Sequence, residues 1–467
     1  MERPPGQNVI IAGATGDLSR RKLLPALFRL YVDGLLPDVC EVIGFARTDL
    51  DDEAFRALAH EAIEAHWQWK PDEAAWEEFA RRLSYVRMTP AGYRELTTRC
   101  DGSKRLIYLA VPPDSVPGIV RELAAYGLNE GGRLVIEKPF GRDFASSVEL
   151  AHVLQDAFDE SEIYRIDHYL GKETVQNLLV FRFLNSVFER VWNRDAVEQI
   201  QITVAESIGV ESRGNFYEGV GALRDIVQSH VLQILALLTM EPPSSFDPEA
   251  IRDEKGKVLR EMRPLDPRRV VRGQYTAGVT DGEKAPGYRQ EPNVAPDSDT
   301  ETFVALELFI DNWRWAGVPI YVRTGKCLPL RATELEVAFK RAPIEYVPGL
   351  DLIHPNHLVY RIQPDEAITF TLLAKEPGAR LAIKQVDMKF KYENGFMVEP
   401  AEAYERLIHD AMNGDQTLFV RQDAVQRAWE IVQPVIDEPP LLRFYPAGSW
   451  GPPEADALVA PSRWHLH

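Results

Sequence analysis

The sequence predicts an α/β domain with a doubly wound, Rossmann-like parallel sheet, followed by an α+β domain with a large, mainly antiparallel sheet covered by helices. Three observations carry this. Short apolar runs alternate with helical stretches over the first third of the chain, the order that builds a parallel sheet with helices on both faces. Beyond about Gly171 the pattern changes to long alternating strands with few helices between them. The chain has 467 residues, more than the ~250–300 that one core serves. The expected division is 1–170 and 171–467.

In order, NVIIAGATGDL (Asn8 to Leu18) is a strand that breaks into a glycine-containing turn, and SRRKLLPALFRLYVDGLLP continues it as a helix. EVIGFAR, RLIYLAVPP and RLVIEKPF are further strands, separated by helices such as DEAFRALAHEAIEAHW and SVPGIVRELAAYGL. In the second part KETVQNLLVFRFLNSVF is a helix. EQIQITVAES, TFVALELFIDNWRW, PIYVRTGK, TELEVAFKR, HLVYRIQ and EAITFTLLAK are strands, and GALRDIVQSHVLQILALLTM and EAYERLIHDAM are helices that cover one face. VLQILALLTM is too short to span a bilayer and reads as a core helix. Ser244 to Asp299, rich in Pro, Arg and Asp, is expected to be irregular. The boundary falls at RIDHYLGKE, and domain boundaries favour small-molecule sites.

Composition narrows the function. Hydrophobic residues make up 45% and charged residues 27%, the balance of a soluble globular protein. Lys plus Arg is 53 against 71 Asp plus Glu, a formal charge of -18, which argues against nucleic acid or an anionic membrane as partner. Cys40, Cys100 and Cys327 are far apart and make neither a zinc motif nor a disulfide framework, so reduced thiols in a cytoplasmic protein are expected. No signal peptide is visible and no metal-ligand cluster stands out.

GATGDL (Gly13, Ala14, Thr15, Gly16, Asp17, Leu18) lies between a strand and a helix, where backbone N–H groups face an anion and glycine lets a pyrophosphate approach. An ordinary tight turn shares the pattern; its place on the first strand of a βα series favours a dinucleotide. The second strand ends in Arg47 and Thr48, which suit the 2′-phosphate of NADP, where an acid would suit NAD. Asp49, Asp51 and Asp52 compete for that arginine. Lys138, in EKPFGRD, stands at a strand's carboxyl end, where α/β sheets bind ligands; a cis bond to Pro139 is open, against a trans base rate.

In RIDHYLGKET a helix starting near His168 would put His168 and Lys172 on one face, making with Tyr169 a cationic patch for a phosphate. Asp167 would then serve another group, such as a histidine from elsewhere. A capped helix start with exposed His and Lys is the plain alternative. Asp225 and His230 sit on an apolar helix, ~140° apart at 3.6 residues per turn. Lys326 and Arg331 follow a strand in VRTGKCLPLR.

GATGDLSRRKLLPALF, EKPFGRD, YRIDHYLGKETVQN, VAESIGVE, GALRDIVQSH, VRTGK and YPAGSWGP together closely resemble stretches of glucose-6-phosphate dehydrogenases, in that family's order, from about Asn8 to Trp464. The resemblance implies a coenzyme domain over 1–170 and a substrate-binding and oligomerisation domain over 171–467. It implies oxidation of D-glucose 6-phosphate to 6-phospho-D-glucono-1,5-lactone with reduction of NADP, the opening step of the oxidative pentose phosphate pathway. It makes His230 the general base and Asp167 its partner, with His168, Tyr169 and Lys172 on the phosphate. Glu206, Asp225 and Lys326, with Arg331, hold sugar hydroxyls. Lys138 lies between sugar and nicotinamide, and Pro139 matches a hinge proline that is usually cis. Family members are homodimers or homotetramers. Ser212 stands where glycine is expected.

The chemistry agrees. Hydride loss from C1 requires that the C1 hydroxyl lose its proton, a task for a neutral imidazole held by a carboxylate. Two other readings stay open: another NADP-dependent sugar or polyol dehydrogenase, and a non-catalytic scaffold that kept the fold.

Overall fold

The computed structural model describes residues 2–66, 72–100, 102–343, 355–378, 381–392 and 402–466. Trp67, at the end of one expected helix, lies outside them. The chain divides into two compact units: Met1–Glu173 with Pro243–Asp253 and Pro400–Gln426, and Thr174–Pro242 with Glu254–Glu399 and Arg427–His467. Two contiguous blocks, 1–170 and 171–467, leave out the two segments that return to the first unit.

The first unit is a six-stranded parallel sheet in the order β3-β2-β1-β4-β5-β6. β1 is Asn8–Ala12, β2 Val42–Ala46, β3 Leu83–Arg87, β4 Arg105–Leu109, β5 Gly132–Glu137 and β6 Ile163–Ile166. β1, β2 and β4 are buried along their whole length, which is why they read as continuous apolar runs. The strand order reverses beside β1, and in such folds ligands bind at the carboxyl ends of the strands there. β3 (LSYVR) and β6 (IYRI) were not legible as strands, because each is very short and a polar residue, Ser84 in one and Arg165 in the other, interrupts its apolar run. Arg165 in β6 is fully buried and gripped by both carboxylate oxygens of Glu160, at 2.6 and 3.0 Å.

The returning segments are tied to this unit by polar contacts. Gln416 donates to the carbonyls of Glu160 and Ile163, and the Val420 N–H donates to the Arg165 carbonyl. In the helix Ala403–Asn413, Ala403 packs against Gly171 so closely that a Cβ on that glycine would lie 3.0 Å from it.

The second unit is built on a nine-stranded sheet, β16-β15-β14-β13-β7-β12-β11-β8-β17. Six of its eight neighbour pairs are antiparallel; β7 with β12 and β8 with β17 are parallel. β7 is Val197–Ala205, β8 Val270–Thr276, β11 Phe303–Leu308, β12 Ile320–Gly325, β13 Ala332–Phe339, β14 His357–Gln363, β15 Ala367–Lys375, β16 Ile383–Lys391 and β17 Leu442–Pro446. β9 (Gly278–Thr280) and β10 (Glu283–Ala285) form a separate hairpin. The helix Leu232–Thr239 is buried on all sides, as a core helix should be. Its last carbonyls accept from Arg182 (2.9 Å, at Leu237), Trp192 (2.8 Å, at Leu238) and Trp315 (2.7 Å, at Thr239), which satisfies groups that a helix end leaves open.

The expectation of an irregular stretch from Ser244 to Asp299 is overturned. It holds the helix Pro248–Glu261 and strands β8 to β10. The helix hid because its buried stripe is only Ile251, Val258 and Leu259, with Arg252 and Lys255 filling the rest of the face. In β8, Arg272 reads as solvent-facing but pairs with buried Glu301 at 3.2 Å. The three cysteines are buried free thiols.

Candidate active site

The candidate residues fall in both units, and each unit gathers its own by the same device, adjacent parallel strands that end in register.

In the first unit β1 breaks at Gly13, whose φ is +89°. A Cβ there would lie 2.2 Å from the Ala110 carbonyl oxygen, so only glycine lets the turn press against the end of β4. The Gly16 N–H closes the turn onto the Gly13 carbonyl at 2.9 Å, and the Ser19 hydroxyl donates to the same oxygen at 3.0 Å. Helix follows from Asp17, with a π-wound stretch at Ser19–Leu23. This tight, side-chain-poor turn at a helix start fits a dinucleotide pyrophosphate.

The exit of β2 lies against that turn. The Thr48 hydroxyl is 3.1 Å from the Thr15 hydroxyl. Arg47 and Thr48 are exposed, and Arg47 makes no ion pair among the described residues. The aspartates that competed for it are engaged elsewhere. Asp49 pairs with Arg87 at 3.0 Å, Asp51 accepts from the Ala54 N–H at 2.8 Å, and Asp52 accepts from the Tyr85 N–H at 2.7 Å.

Lys138 and Asp167 leave neighbouring strands side by side, because Glu137 on β5 is the register partner of Ile166 on β6. The Lys138–Pro139 bond is cis. Below Lys138, the Glu137 carboxyl accepts from the Tyr108 hydroxyl at 2.6 Å and also hydrogen-bonds Tyr404. Burial pushes its pKa up to about 7 despite these phenols and Lys138. Sequence reasoning missed this carboxyl and both tyrosines; the signal was only the acid beside Lys138 in EKPFGRD.

The expectation of a helix beginning near His168 is corrected. The helix starts at Glu173 and runs to Leu184. Before it, Leu170, Gly171 and Lys172 donate backbone bonds to Asp167, His168 and Tyr169, three residues back each time. His168 and Lys172 therefore share a run of tight turns and not a helical face. Asp167 is buried, and its Oδ1 accepts from the Tyr169 N–H at 3.0 Å, the local side-chain-to-backbone bond that makes a turn compete with a helix. The turns still bring the cationic patch together. Lys172 Nζ sits 4.3 Å from the Tyr169 ring centre, and the rings of His168 and Tyr169 are 5.2 Å apart.

In the second unit Ala205 on β7 and Gly325 on β12 are register partners. Glu206 and Lys326 follow them, and Lys326 Nζ lies 2.5 Å from Glu206 Oε2. Asp225 and His230 lie on Leu223–Val231, which is wound as a π-helix. The ~140° separation expected for an α-helix does not hold. With i→i+5 bonding, residues five apart come round to nearly the same side. His230 is buried. Tyr217, missed in the sequence, is buried beside this group. Lys326 Nζ lies 5.2 Å from its ring centre, and burial, then the charges of Asp225 and Glu206, raise its hydroxyl's pKa well above the usual value. Arg331 is exposed just before β13, with no ion pair among the described residues. Cys327 is buried with φ of +49°, and burial pushes its thiol up to about 12. Ser212 lies exposed in a short 3-10 turn, Glu211–Arg213.

The chain matches two family models: glucose-6-phosphate dehydrogenase, NAD binding domain, over residues 10–177, and glucose-6-phosphate dehydrogenase, C-terminal domain, over 179–465. It is 46% identical to glucose-6-phosphate 1-dehydrogenase of Aggregatibacter actinomycetemcomitans, covering 97% of this chain and 96% of that one. Among solved structures, the Mycobacterium avium glucose-6-phosphate 1-dehydrogenase superposes with a TM-score of 0.90 at 40% identity, covering 100% of this chain and 99% of the other. A glucose-6-phosphate dehydrogenase in complex with its substrate glucose 6-phosphate gives 0.91 at 38% identity, over 100% of both chains. On the strength of matches that run through both domains, the chain belongs to the glucose-6-phosphate dehydrogenase family.

Proposed function

We propose that His230 is the general base, and Asp167 its orienting partner, in the oxidation of D-glucose 6-phosphate to 6-phospho-D-glucono-1,5-lactone. The enzyme is an oxidoreductase with NADP as coenzyme. The residues present fit that coenzyme: a glycine turn that a Cβ would block, and Arg47 with Thr48 beside it. NADP, when bound, accepts the hydride from C1.

The chain's own residues do the rest. His230 takes the C1 hydroxyl proton as the carbonyl forms, and Asp167 fixes the imidazole tautomer and steadies the imidazolium. His168, Tyr169 and Lys172 hold the phosphate, which supplies binding energy remote from C1 and positions the sugar. Glu206, Asp225, Lys326 and Arg331 hold sugar hydroxyls, and Lys138 stands between sugar and nicotinamide.

The observation that supports this most directly is the register of β5 and β6, which sets Lys138 and Asp167 side by side at the carboxyl edge of the sheet. The test is absorbance at the NADPH band with glucose 6-phosphate or glucose, and with NADP or NAD. Reduction that needs glucose 6-phosphate supports the reading. Equal rates on glucose would favour a non-phosphorylated sugar dehydrogenase, and none at all a scaffold.

We also place the chain in the cytoplasm as a homodimer or homotetramer. No helix among the described residues is long and apolar enough to cross a membrane, and three buried free thiols suit a reducing compartment. The outermost strand, β16, exposes Val386, Met388 and Phe390, which supports assembly on this sheet. Light scattering after size exclusion gives the mass that decides it.

A further inference from the structure

The exits of β2 and β3 run side by side. Ala46 is the register partner of Arg87, and the Met88 N–H donates to the Ala46 carbonyl at 2.8 Å. The buried Tyr85 hydroxyl bonds the carbonyls of Ala46 (3.0 Å) and Thr48 (2.7 Å), which fixes the backbone on both sides of Arg47. Two arginines therefore flank one short loop next to the phosphate-binding turn. Of the three nearby aspartates, Asp51 and Asp52 are committed to backbone N–H groups. Asp52 also lies 3.9 Å from the Arg56 guanidinium, which leaves Asp49 as the aspartate paired with Arg87. Among the described residues, Arg47 therefore faces the loop with no carboxylate of its own, and Arg87 with one.

The Arg87–Asp49 pair does little for the fold. Its side chains are 52% and 79% exposed, and exposed pairs contribute only ~0–1 kcal/mol. A half-exposed guanidinium held by one carboxylate is instead ready to exchange it for a dianionic phosphate, which offers more acceptors and more charge.

We propose that Arg87 is a second reader of the coenzyme's 2′-phosphate, and that Asp49 is the carboxylate which holds Arg87 in place and competes with that phosphate for it. This rests on the reading of Arg47 and Thr48 as the 2′-phosphate site. It adds a specificity residue from β3, a strand whose sequence gave no such signal.

The probe is adenosine 2′,5′-bisphosphate, compared with adenosine 5′-monophosphate, which lacks the 2′-phosphate. Binding to the full chain is measured by titration calorimetry. Arg87→Ala should weaken the bisphosphate about tenfold or more, the scale of one charge-assisted hydrogen bond, and leave the monophosphate nearly unchanged. Asp49→Asn should tighten the bisphosphate alone. Loss of both ligands alike in Arg87→Ala, no loss of either, or weaker bisphosphate binding in Asp49→Asn would overturn the proposal. Arg47→Ala, run in parallel, separates the two readings. A selective loss there with none in Arg87→Ala removes Arg87 and leaves the loop reading standing. A selective loss only in Arg87→Ala supports Arg87 and removes Arg47.

Discussion

Lys326 and Glu206 meet because their strands are parallel neighbours in register: Ala205 pairs with Gly325, and the next residue on each strand closes an ion pair of 2.5 Å. The Glu206 N–H also donates to the Gly325 carbonyl at 3.0 Å, so backbone and side chains fix the same geometry. Lys138 and Asp167 leave β5 and β6 in the same way. Parallel pairing puts the exits of both strands at one edge, which an antiparallel pair cannot do. The β7–β12 pair is thus a parallel contact in a mostly antiparallel sheet, at the place where two polar side chains must stand together.

A first prediction follows for Glu206. Glu206→Gln keeps the shape and removes the charge that holds Lys326, whose side chain is 11% exposed. A hydrogen bond to a charged partner contributes ~1.5–3 kcal/mol, so the Michaelis constant for glucose 6-phosphate should rise about tenfold or more. Initial rates against sugar concentration check this. An unchanged constant would make the pair a strand tie only.

The second concerns pH and Glu137. Its folded pKa of about 7 lies above the ordinary 4.5, chiefly through burial, so folding favours the protonated form. The contribution of this group is complete below about pH 4.5 and is lost as pH rises through about 7. Glu137→Gln mimics the protonated carboxyl. Its apparent Tm should gain on that of the wild type between pH 5 and 8, by an amount on the order of 2–3 kcal/mol in stability at the upper end. Thermal scans of both proteins across that range test it; a constant gap would mean that Glu137 does not titrate there.

Much of this was legible in the sequence. Continuous apolar runs such as NVIIA and VIGFA announce buried parallel strands, and GATGDL announces the turn between the first strand and its helix. What stayed hidden has physical reasons. Arg165 and Arg272 look like surface residues, but a carboxylate holds each inside: Glu160, five residues back, grips Arg165 with both oxygens, and the buried Glu301 holds Arg272. The winding of Leu223–Val231 was invisible because residue types do not distinguish π from α turns, and that winding decides whether Asp225 and His230 face the same way. The turns at His168 to Lys172 were read as helix because their spacing fits both; the Asp167 side chain, bonding the Tyr169 N–H, decides for turns.

The third prediction concerns that stretch. Lys172→Ala should raise the Michaelis constant for glucose 6-phosphate sharply and narrow the preference over glucose, which has no phosphate for the lysine. The lysine is held over the Tyr169 ring, so Tyr169→Leu should lose part of the same preference with its backbone turn intact. Specificity constants for both sugars measure this. A wild-type ratio in Lys172→Ala would make the lysine an ordinary surface residue.

The last concerns the base. If His230 is the base, His230→Asn removes proton acceptance and leaves the proposed phosphate-holding residues untouched, so turnover should fall ~10²–10⁴-fold, the scale of a missing general base. Binding of glucose 6-phosphate, followed by calorimetry, should stay close to that of the wild type. Asp167→Asn should also slow turnover, and on glucose as well as on glucose 6-phosphate, because the role proposed for Asp167 is at C1 and not at the phosphate. A structural defect could lower turnover too, since His230 and Asp167 are both buried. The pH profile separates the causes. A general base must be unprotonated to work, so on the proposed assignment wild-type kcat/KM should fall toward low pH. In His230→Asn the residual activity should lose that acid limb, whereas a merely damaged enzyme would keep it at a lower level. Persistence of the wild-type acid limb in His230→Asn would take His230 out of the proton transfer.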